Sequence, residues 1–86
     1  MSRVVIESRI PDPPEGLELS SIPNIRKASG AAEWITEHLG IPVTERYIRV
    51  KTNERQIRYS LISGVRHYSS QNLWEFIMST EKKASA

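Results

Sequence analysis

The chain has 86 residues, no cysteine and a formal net charge of +2. A length of this order holds one small domain with a thin core, and the lack of cysteine excludes disulfide staples and thiolate metal sites. Its apolar runs are far too short to span a membrane, and the opening MSRVVIE has neither the hydrophobic length nor the cleavage site of a signal peptide, so a cytoplasmic protein without a membrane partner is expected.

Residues 1–27 contain Pro11, Pro13, Pro14 and Pro23, which forbid a helix through most of the segment. A short strand over residues 4–7 is possible, and the rest reads as an extended arm, either a loosely packed leader or one that packs on the domain or on a neighbouring copy. The folded domain is expected over residues 28–79. It opens with AAEWITEHLG, where Ala31, Ala32, Ile35 and Leu39 recur at helical spacing. Ser29 is the predicted cap at its start, and Gly40 sits where a left-handed stop belongs.

Ile41-Pro42-Val43 then breaks the helix, because the residue before a proline is pushed away from helical geometry. Thr44 is a good cap for a second helix reaching to about Arg55, with Glu45 complementing its N-terminal dipole. Two short helices joined by a tight turn are the frame of a helix-turn-helix. Ile48 and Thr52 can face the first helix, Tyr47 and Lys51 flank that stripe, and Arg46, Arg49, Val50 and Asn53 point elsewhere.

The charge is concentrated here. Residues 44–68 gather Arg46, Arg49, Lys51, Arg55, Arg58 and Arg66 against Glu45 and Glu54, six cations to two carboxylates and a local +4, while residues 1–23 carry −2. A basic patch on a nearly neutral chain points to an anionic partner at one place; an ordinary solvated surface is the competing explanation.

The next stretch, QIRYSLISGVRHYS, alternates Ile57, Tyr59 and Leu61 with Arg58, Ser60 and Ile62, with Gly64 near its middle. That pattern predicts a hairpin, with Arg58, Arg66 and His67 near its exposed edge or tip. In SSQNLWEFIMS, Ser69 or Ser70 caps a closing helix that buries Leu73, Trp74, Phe76 and Ile77 in some combination. Residues 80–86 read as a frayed tail.

The predicted fold class is mainly α with a small β hairpin, a winged helix-turn-helix. From about Ala31 to Ile77 the sequence resembles the small phage excisionases, or recombination directionality factors, and the wider group of regulators with MerR-like DNA-binding domains. The resemblance rests on AAEWITEHLG, TERYIRVKTN and LISGVRHYSSQNLWEFI. It departs from the family pattern at Arg55, where a glycine usually ends the second helix, and in the turn IPV, which is longer by about two residues. It implies that the second helix enters the major groove of double-stranded DNA while the wing touches flanking backbone or minor groove. By position, Arg46, Tyr47, Arg49 and Val50 would approach base edges, and Thr44, Lys51, Asn53 and Arg55 would lie nearer phosphates. Arg58, Arg66 and His67 would serve from the wing. Thr44 also has a capping role, and Tyr47 has the competing option of packing on the first helix.

The resemblance further implies an architectural role: neighbouring copies bind cooperatively beside an attachment site, bend the DNA and direct a phage integrase toward excision. A small transcriptional regulator and a phage protein-interaction module are the alternatives. No enzyme is expected, since the sequence has no glycine-rich phosphate loop and no arguable nucleophile constellation. His38 and His67 lack the companions of a metal site, His38 reads as a surface residue, and no cofactor is expected.

Overall fold

The computed structural model describes residues 11–81. In chain order these form β1 (Ile25–Arg26), α1 (Lys27–Trp34) continuing as a π-helical segment (Ile35–Leu39), α2 (Glu45–Asn53), β2 (Ser60–Ile62), β3 (Val65–Tyr68) and α3 (Ser70–Ser79). The fold is mixed α/β, three helices with a three-stranded antiparallel sheet in the order β1-β3-β2.

The helix ends follow local chemistry. Thr44 caps α2, its Oγ1 accepting from Tyr47 N at 3.0 Å, and Ser69 caps α3 by accepting from Asn72 N at 3.0 Å. Gly40, at φ 72°, closes the first helix after its π-helical end. The start of α1 differs from expectation: Ser29 lies inside the helix, whose N-terminal flank is Arg26 with no side-chain cap. Strand β1 runs straight into α1, and the change of direction is made at Lys27, with φ 66°, so no capping residue marks it.

Helix α2 ends two residues before Arg55. Gln56 N donates to Lys51 O at 3.0 Å and Arg55 N to Thr52 O at 2.9 Å, the paired bonds of a Schellman stop. Its left-handed position is taken by Arg55, at φ 65°. That backbone conformation favours glycine, and an arginine adopts it.

The hairpin β2–β3 is shorter than the alternation suggests, since residues 56–59 are not in a strand. Ser63 and Gly64, at φ 53° and 77°, make the two-residue turn with both central residues left-handed that suits the twist of a hairpin. The arm supplies the third strand: Ile25 pairs with Tyr68 and Arg26 with His67.

The arm is also fastened further out. Ser20 N donates to Ser70 Oγ at 2.8 Å, Gln71 N to Ser20 O at 3.1 Å, and Trp74 Nε1 to Pro11 O at 3.0 Å. At Pro11 and Ser20 the leader is bonded to α3, and at Ile25 and Arg26 it is paired with β3, instead of lying loose. The strand considered for residues 4–7 and the tail residues 82–86 lie outside the described residues.

The core joins Ala28, Ala31, Ala32 and Ile35 of the first helix to Ile48 of α2, Ile57, Tyr68, and Leu73, Phe76 and Ile77 of α3. Three alanines on one face let α2 and the sheet approach α1 closely, and all four apolar residues expected to be buried on α3 are buried. Among the described residues no helix is long and apolar enough to cross a membrane.

Candidate nucleic-acid interface

Burying Ile48 and Thr52, one helical turn apart, fixes which face of α2 turns outward. Arg46, Val50 and Asn53 occupy the opposite face and are all exposed, Val50 at 39% despite being apolar. Among the described residues Arg46, Arg55 and Arg58 make no ion pair. Arg49 is held along the helix by Glu45 at 2.8 Å, and Lys51 by Glu54 at 3.4 Å. Such exposed pairs are worth under about 1 kcal/mol, so either cation can be drawn to a stronger anion.

The two flanks of α2 differ. On one side Tyr47 lies against α3, its ring 6.1 Å from that of Phe76 and 5.6 Å from Lys51 Nζ. It borders a shallow apolar groove of about 390 Å³ with Ile41, Pro42, Val43 and Ile77. The aromatic neighbour of Tyr47 is thus on the closing helix and not on the first helix, and its ring sits at the margin of the exposed face.

On the other flank α2 meets the hairpin. Arg66 Nη2 donates to Asn53 Oδ1 at 2.9 Å, and the same guanidinium lies 4.9 Å from the Tyr59 ring centre. Tyr59 in turn stands 6.4 Å from Tyr68, whose hydroxyl is 2.8 Å from Thr52 Oγ1. Asn53, Arg66, Tyr59, Tyr68 and Thr52 therefore form a closed circuit that fixes the hairpin against the C-terminal turn of α2. Arg66 is expected from sequence as an exposed contact for an anion; it is half-buried, and its Nη2 is engaged by Asn53. His67 is likewise not at the tip. It lies mid-strand between Arg26 and Ser60, half-buried, with Nδ1 2.9 Å from Val65 O.

A cation missed by the sequence reading also joins the basic face. Lys27, placed in the arm from sequence, lines an open cleft of about 320 Å³ with Arg49, Arg66 and the carboxylate of Glu45. Three segments far apart in the chain meet there, so no local pattern announces it. Thr44 uses its hydroxyl as a cap, and His38 is exposed with its ring stacked 5.1 Å from Trp34. Among the described residues no cluster of His, Asp and Glu could hold a metal ion.

The site therefore offers an outward helix face with Arg46, Val50 and Asn53, a hairpin tied to it through Arg66, and Arg55 and Arg58 between them. Comparison with protein-family models, with curated proteins and with solved structures finds no match to this chain.

Proposed function

We propose that the protein binds double-stranded DNA as a winged helix-turn-helix, with α2 in the major groove and the β2–β3 hairpin as the wing. The observation that carries this reading is the exposed face of α2, bearing Arg46 and Asn53 and joined to the hairpin through Arg66. A major groove about 12 Å wide admits a helix, and an arginine there can grip guanine through two hydrogen bonds. Arg55 and Arg58 neutralise phosphates beside it, and Lys27 adds a third positive charge from α1.

A single module of this kind covers only about 600–1,000 Å², so occupancy is raised by neighbouring copies or a partner protein. The resemblance to excisionases extends the reading to an accessory factor that binds as adjacent copies, bends the DNA and guides a phage integrase toward excision without breaking a bond itself. Mobility-shift titration at several salt concentrations tests it. Binding that weakens steeply with salt supports a DNA interface, and a ladder of cooperative shifts with induced bending supports the architectural role. One discrete shift on one operator favours a transcriptional regulator. Binding that ignores salt, or none at all, overturns the DNA reading and leaves a protein-interaction module.

A further inference from the structure

Strand β2 departs from the rule that a half-buried strand hides alternate residues. All three of its residues are exposed, with Leu61 at 64% and Ile62 at 43%, and Tyr59 just before it is 40% exposed. Single apolar side chains on a surface need no explanation. Leu61 and Ile62 together, next to the turn of the hairpin, with Tyr59 behind them at its base, form an apolar blade. Ile62 pairs with Val65 next to the turn and Leu61 pairs with Arg66. Since β2 is the outer strand of the sheet, its far edge has no strand beside it among the described residues.

The charge around this blade selects its partner. From Arg55 to Tyr68 there are three arginines and one histidine and no carboxylate. A second copy meeting this edge would bring the same positive charge, whereas a nucleic-acid duplex brings the opposite one. Apolar side chains on a cationic hairpin are also the means by which proteins unstack a base step from the minor groove and kink the duplex.

We propose that the outer edge of the hairpin near its turn is an apolar wedge, with Leu61 on one face and Ile62 on the other, that enters the minor groove of duplex DNA and opens one base step. The proposal rests on the DNA-binding reading of α2 and the hairpin and adds to it the device that bends the DNA. A minor groove about 6 Å wide excludes a whole two-stranded ribbon, so the free edge of β2 goes in first. The narrow turn at Ser63 and Gly64 keeps the tip slender, and the bond from Arg66 to Asn53 aligns the wedge with the helix in the neighbouring major groove.

The test uses the full chain and a duplex that it selects from a random-sequence pool. 2-Aminopurine is substituted at each position of the bound site in turn, and bending is read by energy transfer between end labels. The wild type should brighten the probe at one step and bend the duplex. Leu61→Thr, which keeps strand propensity, should retain salt-dependent binding while losing the bright step and at least half of the bend. Leu61→Phe should keep both. A wild-type complex dark at every position overturns the wedge, whatever the variants do. An unchanged bend in Leu61→Thr overturns it too, including the case where that variant instead turns a dimer into a monomer in sedimentation. In these cases salt-dependent binding still upholds the DNA reading; a wild type that selects no duplex removes that reading and the wedge together.

Discussion

Tyr68 donates its hydroxyl proton to Thr52 at the junction of sheet and helix. Thr52 Oγ1 spends its own proton on Ile48 O at 2.7 Å, so the 2.8 Å contact with Tyr68 has the tyrosine as donor. Both side chains are at most 2% exposed, and water cannot replace either partner. The bond ties the end of β3 to α2.

The direction of that bond makes the two ends unequal. Tyr68→Phe removes a donor and leaves Thr52 its bond to Ile48, a loss of about 0.5–1.5 kcal/mol. Thr52→Val strands a buried hydroxyl and should cost more, about 1–3 kcal/mol. Urea denaturation of both and of the double variant checks this. The double variant should fall well short of the sum; equal and additive losses would contradict the assigned direction.

Arg55 should show a conflict between stability and binding. Its left-handed backbone costs an arginine about 1–2 kcal/mol, part of which Arg55→Gly recovers after the greater freedom of glycine in the unfolded chain is subtracted. The variant should melt at a higher temperature. If Arg55 meets a phosphate, the same variant should lower the slope of log K against log salt by about one ion. Thermal denaturation and a salt titration read the two effects on one protein.

Arg46 and Arg58 should separate specificity from affinity. Arg46→Ala should narrow the gap between cognate and non-cognate DNA by about 1–3 kcal/mol, as expected when a bidentate base contact is lost. Arg58→Ala should weaken all sequences nearly equally and flatten the salt dependence. Competition binding with a selected duplex and a scrambled one measures both, and matching profiles for the two variants would reject the placement of Arg46 at base edges.

The arm should contribute to stability through Ser70. Its Oγ accepts from Ser20 N at 2.8 Å and faces Ser20 O at 3.3 Å, so Ser70→Ala breaks the tie between residues 50 positions apart. A loss of about 1–2 kcal/mol is expected from a part-buried pair of this kind, read by denaturant midpoint. Trp74→Phe, which drops the bond to Pro11 O and leaves part of a buried ring's volume unfilled, should cost at least as much and abolish most of the change in tryptophan emission that accompanies arm release.

Where structure is set by neighbouring residues, the sequence was informative. The caps at Thr44 and Ser69, the stop at Gly40 and the burial of Ile48 and Thr52 each depend on chemistry within about one turn of chain. Strand β1 was not legible, because Ile25 and Arg26 become a strand only by pairing with residues more than forty positions later. The start of α1 was hidden for the same reason: Lys27 adopts its unusual angle to leave that strand, while Ser29 imitates a cap. Arg66 illustrates the limit at the site itself. A basic residue on a hairpin reads as free charge, and only the approach of Asn53 and Tyr59 turns it into a joint.

Strand β1 also governs the order in which the molecule can assemble. The helix pair α1 and α2 and the hairpin involve contacts close in sequence and can form early, since local contacts form fastest. The third strand cannot dock until Tyr68 has emerged, and Pro11 has no indole to meet before Trp74 does. During synthesis the arm is therefore made well before the residues that secure it, and it acts as a latch that closes only once β3 and α3 are in place.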